Sequence, residues 1–323
     1  MAQFAIRIVM TAAVARGAAA CDESLSEVAG PSRTRRWIEL GPKDRWETTL
    51  RASVRCLLLV IAAGVWTTPV ALAQPPDEDP DLEVNVSQPD FTLAALPTNL
   101  RLPRGRFAFR VTHRFARPLG SGDFGSLLED FFGFDSGAQI GLELRYGLFR
   151  GAQVGVNRTS DRTIQFFTQY DLQSQQSFPV GIGIWASADG TNNFRDSYSP
   201  ALGVVFSREL GTHGAIYAEP LWVNNTNPES SELVDDNSTF MVGLGTRLRI
   251  RPTVYVTAEI SPRIAGYAPG DALISFGLEK RAGGHAFSLN FSNGFGTTMA
   301  QIARGGTDVD DWYIGFNISR KFY

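Results

Sequence analysis

The sequence has few of the residues that build reactive or metal-binding sites. It contains two cysteines, Cys21 and Cys56, and three histidines among 323 residues. Both cysteines precede the part that we predict as the mature chain, so that part has neither a disulfide framework nor a thiolate metal site. No cluster of His, Asp or Glu has the spacing of metal ligands. We therefore expect no metal and no other cofactor.

Motifs of catalysis and of nucleic-acid binding are also missing. The net charge is -3 and no basic cluster stands out, so no nucleic-acid partner is expected. There is no G-x-S-x-G elbow, and the glycines occur singly instead of forming a phosphate-binding loop. The sequence therefore predicts a protein that is not an enzyme.

Long apolar runs are scarce, and the one that could form a membrane helix has the features of an export signal. The run from Cys56 to Ala73 follows Arg51 and Arg55. It ends in small residues, with Ala71 and Ala73 placed for cleavage before Gln74. We predict a signal peptide over residues 51–73. Residues 1–50 make the charged leader abnormally long, and we interpret them as a mis-annotated or disordered upstream segment.

The next segment, residues 74–104, is rich in Pro, Asp and Glu and has little periodicity. Such a composition predicts a flexible periplasmic lead-in. An apolar patch over residues 91–102 is expected to touch the mouth of the domain that follows.

Residues 105–323 are organised in alternating segments, of which the last is the clearest. From Asp311 to Tyr323, apolar and polar residues alternate, which predicts a strand with one face toward lipid and one toward water. We interpret this as the closing strand of a barrel. The residues expected to act as its assembly signal are Phe316, Ile318, Phe322 and Tyr323.

The same alternation recurs upstream in about twelve segments, and short connections tend to alternate with long polar ones. Short periplasmic turns and long outer loops are typical of outer-membrane barrels. The mean hydropathy of -0.09 fits, because every second residue of such a wall faces away from lipid. The fold class predicted is an all-β, antiparallel transmembrane β-barrel of about twelve strands with both termini in the periplasm.

Charged residues of both signs occupy the parity that faces the lumen. They are Arg106, Arg110, Arg114, Glu143, Arg145, Asp171, Glu219, Arg247, Arg249, Glu259 and Glu279. The favoured interpretation is a ladder of mutually neutralising charges that keeps the wall rigid. The alternative is that Arg106, Arg110 and Arg114 form a positive stripe that guides anions through a pore.

Two other classes of function remain open from the sequence. His113 lies near the outer rim with Ser121, Asp123 and Ser126 in the following loop, as a surface lipid-modifying enzyme would need. We interpret His113 instead as an interfacial amphipathic residue. A surface receptor or adhesin would use the long outer loops, above all residues 223–238.

Four stretches carry a family resemblance, namely LPRGRFAFRVTHRFARPL, FGFDSGAQIGLELRYGL, GGHAFSLNFSN and GFNISRKF. They resemble an uncharacterised bacterial family of predicted outer-membrane β-barrels, a domain of unknown function. The resemblance spans nearly all of residues 102–323. It implies an outer-membrane barrel and no particular activity.

Together these patterns predict an outer-membrane protein of a Gram-negative bacterium, exported through a cleaved signal peptide. Its expected role is a structural wall or a narrow, porin-like passive pore. The expected partners are outer-membrane lipid and, during biogenesis, the outer-membrane assembly machinery. The sequence leaves the cargo and the oligomeric state open.

Overall fold

The computed structural model describes residues 83–129, 133, 137–175, 178–227 and 237–322. The upstream segment, the predicted signal peptide with Ala71, Ala73 and Gln74, and the terminal Tyr323 lie outside these residues.

The described residues form one antiparallel sheet with short helical segments between some of its strands. The strands are β1 (Phe107–Phe115), β2 (Ala138–Phe149), β3 (Ala152–Thr159), β4 (Ile164–Gln173), β5 (Gly181–Gly190), β6 (Asp196–Glu209), β7 (Gly214–Asn224), β8 (Ser238–Arg251), β9 (Val254–Ser261), β10 (Arg263–Gly266), β11 (Leu273–Ala282), β12 (His285–Ser292) and β13 (Tyr313–Phe322). The helical segments are α1 (Phe124–Glu129), α2 (Thr191–Phe194) and α3 (Met299–Arg304). Within the described ranges, no helix combines the length and the apolar character needed to cross a membrane.

The sheet closes on itself. Strand β13 pairs with β1, where Phe322 lies opposite Phe107, and β9 joins β8 to β11. Strands β9 and β10 both pair with β8 and are separated only by Pro262, which cannot donate a ladder hydrogen bond. The carbonyl of Pro262 still accepts from the Val242 N–H at 3.0 Å. Since β9 and β10 make one interrupted wall strand, the prediction of a closed barrel of about twelve strands is confirmed.

The wall has an apolar outside and a largely polar inside. On β11, Phe276 and Leu278 are 46% and 52% exposed, whereas Ser275 before them and Glu279 after them are 2% and 1% exposed. A water-soluble domain buries its large apolar side chains and exposes its charges. The reversed arrangement, repeated around the sheet, is the one that a surrounding bilayer stabilises.

This belt leads to a direct prediction. Leu142, near the middle of β2, is 47% exposed, and Leu142→Arg is expected to lower the free energy of unfolding by about 2–4 kcal/mol because the charge enters hydrocarbon. Leu148→Arg, near the end of the same strand, is the matched control and should cost about 0–1 kcal/mol. Urea unfolding of protein refolded into lipid vesicles measures both. Equal costs at the two positions would contradict the depth assignment.

The two rims of the barrel differ. At one rim the strands are joined by short turns such as the one between β2 and β3, and we call it the turn end. The opposite rim carries the longer connections, including α1 and α3, and we call it the loop end. The chain enters β1 from the turn end.

The segment before β1 is not a flexible lead-in where the structure describes it. Nearly every residue from Ser87 to Leu102 is buried, and the prediction for residues 74–104 is corrected there. The apolar patch at residues 91–102 does not stop at the mouth, because these residues lie inside the barrel. Their burial has a physical cause in the polar inner wall.

Candidate functional site: a lumen filled from both ends

The described segment ahead of β1 forms a hairpin inside the lumen. We call residues 85–102 the plug and residues 93–96 its tip. The Leu93 N–H donates to the Leu96 carbonyl at 2.8 Å, and Thr98 N–H to the Phe91 carbonyl at 2.8 Å. The plug begins and ends at the turn end, where the Ser87 hydroxyl donates to the Gly211 carbonyl. The tip therefore points from the turn end into the lumen.

A single carboxylate of the wall receives the tip. Glu259 on β9 accepts backbone hydrogen bonds from Ala94 at 3.1 Å, Ala95 at 3.0 Å and Leu96 at 3.1 Å. Successive N–H groups in a turn form a concave site that favours an anion, and hydrogen bonds to a carboxylate are stronger than neutral ones. Glu259 is 4% exposed, so water does not compete for these donors.

Cationic and amide side chains of the wall satisfy the carbonyl groups of the plug. Arg114 and Asn317 donate to the Ala94 carbonyl at 3.1 and 3.0 Å. Arg247 donates to the Thr92 carbonyl at 2.6 Å and to the Asp90 carbonyl at 3.3 Å. Buried backbone groups need partners, and a two-stranded hairpin leaves its outer edges open. The polar wall supplies what a neighbouring strand would otherwise provide.

The buried charges are also paired with one another. Glu143 bridges Arg110 at 2.6 Å and Arg145 at 2.9 Å. Arg247 meets Glu279 at 2.8 Å. Losing one member of such a pair leaves an uncompensated charge in a dry interior, which is costly. These contacts link the wall strands to each other at the level of the plug.

The residues that the sequence placed on the inner face occupy two environments. Buried inside the barrel are Arg110, Arg114, Glu143, Arg145, Asp171, Glu219, Arg247, Glu259 and Glu279. Arg106 is exposed ahead of β1 at the turn end, and Arg249 is half-buried with its guanidinium on the Pro252 carbonyl. Arg106 lies outside the lumen, and Arg110 forms an ion pair with Glu143. Arg106, Arg110 and Arg114 therefore do not form an open positive stripe.

Glu219 differs from the other buried acids. It is 0% exposed, and neither carboxylate oxygen has a hydrogen-bond partner among the described residues. It lies beside Gly243, whose Cβ position would be 2.9 Å from the Leu96 side chain of the tip. Burying an unpartnered carboxylate costs free energy. Burial of Glu219 therefore costs free energy, whereas the carboxylate of Glu259 is bonded to the tip.

Bulky apolar residues cover part of the inner wall, and the sequence analysis did not single them out. They are Phe167, Trp185, Val205, Leu221 and Met241, on strands β4 to β8. They form one buried cluster with Leu93 and Leu96 of the tip. In the sequence, these residues occupy the alternate strand positions whose side chains are predicted to face the lumen. Large apolar side chains on that parity indicate a lumen that is filled.

The same cluster receives a helix from the loop end. Met299, Ala300, Ile302 and Ala303 of α3 are buried in it. The Ala300 N–H donates to Asp189 at 3.0 Å and Arg304 donates to the Thr226 carbonyl at 3.0 Å. From the sequence, the long polar connections, of which the one before β13 is an example, are interpreted as outer loops. The helix of this connection instead folds inward, so the plug tip and α3 meet in one apolar core.

The residues of the enzyme alternative are not arranged as a triad. The His113 ring stacks on Phe316 with centroids 4.9 Å apart. The Ser126 hydroxyl donates to the Asp123 carbonyl at 2.9 Å, and Asp123 caps α1 by accepting the Ser126 N–H at 2.8 Å. Hydrogen bonds to the Asp123 carboxylate lower its pKa, first that from the Ser126 N–H, then that from the Ser126 side chain, with a further contribution from the Gly125 backbone. In the part of the chain that the structure describes, no group of acids, histidines or cysteines is placed to hold a metal ion.

Comparisons with solved structures return outer-membrane proteins. One is Omp33 of Acinetobacter baumannii, at 12% identity and a TM-score of 0.39, covering 68% of this chain and 98% of that one. Another is a mutant porin of Rhodopseudomonas blastica, at 15% identity and a TM-score of 0.31. That match covers 57% of this chain and 55% of the porin, so the chain spans about half of the porin's length. No curated protein matches the chain.

A family model identifies the chain over most of its length. The model describes a membrane bound beta barrel domain, DUF5777, and matches residues 90–322. The match begins within the plug and ends in β13, so it includes both the closed wall and the plug tip. The chain belongs to this family of membrane-bound β-barrel domains, whose function is unknown.

Proposed function

We propose that this protein is an outer-membrane barrel that serves as a sealed structural wall, and not as a standing passive pore. The observation that carries the proposal is the meeting of the plug tip and α3 inside the barrel. Leu93 and Leu96 from the turn end share one buried core with Met299 and Ile302 from the loop end. Packed apolar side chains leave no continuous path for water or ions.

The wall role has further support in the inward-facing charges. Glu143 is shared by Arg110 and Arg145, and Arg247 is shared by Glu279 and the plug backbone. A conducting lumen presents hydrated charges to passing ions. Charges that bind each other and the plug instead stabilise a fixed interior.

The proposal includes a location and an orientation. The belt of exposed apolar side chains requires a bilayer, and a β-barrel wall with short turns at one rim is the arrangement of the outer membrane. The turn end then faces the periplasm, and the plug enters from there after removal of a signal peptide. Membrane lipid and the barrel assembly machinery are the proposed partners. The role involves no catalysis.

Planar-bilayer recording of the refolded protein tests the proposal. We expect no steady single-channel conductance above the background of the bare membrane, because Leu96, Ile302 and Met241 pack in one buried core inside the barrel. Circular dichroism on the same sample verifies that the strands are folded. Ohmic current steps at low voltage from folded, unmodified protein would instead establish the narrow-pore alternative.

A further inference from the structure

The outer wall carries an apolar groove that the wall function does not use. Its volume is about 520 Å³, and it runs across strands β9, β11, β12 and β13. Side chains that line it include Leu278, Phe287, Leu289, Phe316 and Ile318. Leu278 and Leu289 are 52% and 44% exposed, although they face a membrane and not water. A groove of this character accepts a hydrocarbon chain.

Two cations stand at the turn end of the groove. Lys280 lines it directly and lies opposite Phe287 on β12. Arg320 on β13 lies opposite His285, one outward position nearer the turn. Both cationic side chains are exposed. The apolar groove thus ends in a basic edge close to the rim.

These cations have no acidic counterpart on the described strands that surround the groove. Strands β9, β11, β12 and β13 are described throughout, and their outward-facing positions contain no Asp or Glu. Among the described residues, neither Lys280 nor Arg320 forms an ion pair, and the Arg320 guanidinium instead lies 5.0 Å above the Phe322 ring. A partner with a negative charge is therefore the complement of this edge.

We propose that this groove is a binding site for an anionic glycerophospholipid. One acyl chain occupies the groove, and the phosphate group contacts Lys280 and Arg320 at the turn-end interface. Acyl chains contribute through burial of each CH₂ group, and basic residues near a membrane surface attract anionic headgroups. A second barrel is the poorer occupant, because each copy would bring cations and no carboxylate to the contact. The proposal depends on membrane insertion and is independent of whether the lumen is closed.

Native mass spectrometry of the detergent-purified barrel tests the site. Dimyristoyl phosphatidylglycerol and dimyristoyl phosphatidylcholine are the probes, since they share their chains and differ in net charge. We expect preferential retention of phosphatidylglycerol. The double variant Lys280→Gln/Arg320→Gln should weaken that retention about 30-fold, as expected for two interfacial basic residues.

The matched control is Arg150→Gln/Arg195→Gln, which removes the same charge from exposed positions away from the groove. It should bind phosphatidylglycerol as the unmodified protein does. Leu289→Trp, which fills the groove, should reduce retention of both lipids. Equal binding of the two lipids, equal loss in both double variants, or a dimer mass without lipid would overturn the proposal. Bilayer conductance tests the sealed wall separately, so either idea can fail alone.

Discussion

Glu259→Leu is expected to release the plug and convert a closed barrel into a conducting one. The carboxylate is the acceptor for three successive N–H groups of the tip, and leucine offers none. Each buried donor left without an acceptor costs about 1–3 kcal/mol, so the closed state loses about 3 kcal/mol or more. That is a shift of about 100-fold or more in the ratio of closed to open barrels.

Single-channel recording measures the opening, and cysteine labelling locates it. The predicted mature chain has no cysteine, so Ala95→Cys gives one thiol at the tip. It should resist a water-soluble maleimide in the otherwise unmodified barrel and react in the Glu259→Leu background. Glu259→Gln, which keeps one carbonyl oxygen, should have an intermediate effect. If the Glu259→Leu barrel showed no conductance and no labelling of Ala95→Cys, the tip would be held by its apolar contacts alone.

A steric variant tests the same displacement by another route. Gly245 faces Leu93 so closely that a Cβ there would overlap the leucine side chain. Gly245→Leu should push the tip out and open the barrel as well. Ala258→Leu, on the lipid side of the neighbouring strand, adds bulk without touching the plug and should leave the barrel closed.

Glu279→Leu is expected to lower the free energy of unfolding by about 3–5 kcal/mol, because it leaves Arg247 charged and without its carboxylate in the lumen. The double variant Arg247→Met/Glu279→Leu should lose less than the single variant, since no charge remains uncompensated. It should also conduct, because the hydrogen bonds of Arg247 to the Thr92 and Asp90 carbonyls of the plug disappear.

Urea unfolding in lipid vesicles gives the stabilities, and planar-bilayer recording gives the state of the plug. Arg150→Leu, at an exposed turn position, serves as the control and should change the stability by no more than about 0.5 kcal/mol. If Glu279→Leu were no less stable than Arg247→Met/Glu279→Leu, the Arg247 guanidinium would be hydrated in the single variant. The interior around it would then not be dry.

The wall could be predicted because the alternation that defines each strand is contained in a short stretch of sequence. A strand places alternate residues on opposite faces, so the apolar and polar parities of β11 or β13 can be read within ten residues. Turn lengths then give the order of the strands. The inward position of Glu259 and Arg247 follows from the same parity. Pro262, which splits one wall strand into β9 and β10, changes the number of segments but not the closed sheet.

The interior could not be predicted in the same way. The tip sequence Leu93-Ala94-Ala95-Leu96 has no periodicity, and its acceptor Glu259 lies more than 160 residues further along the chain. The inward position of helix α3 could not be predicted for a similar reason, because its buried residues form only a short apolar run within a polar loop. The sequence signal for a filled lumen was the set of bulky apolar residues on the inward parity, such as Phe167, Trp185 and Leu221.

The sequence by itself determined a closed antiparallel wall with apolar residues toward lipid, because backbone geometry alone fixes which side chains share a face. The tertiary structure alone decided that the plug lies inside that wall. The physical reason is that the unpaired N–H and C=O groups of the plug and the buried charges of the wall must satisfy each other, and closure of the barrel brings them within hydrogen-bonding distance.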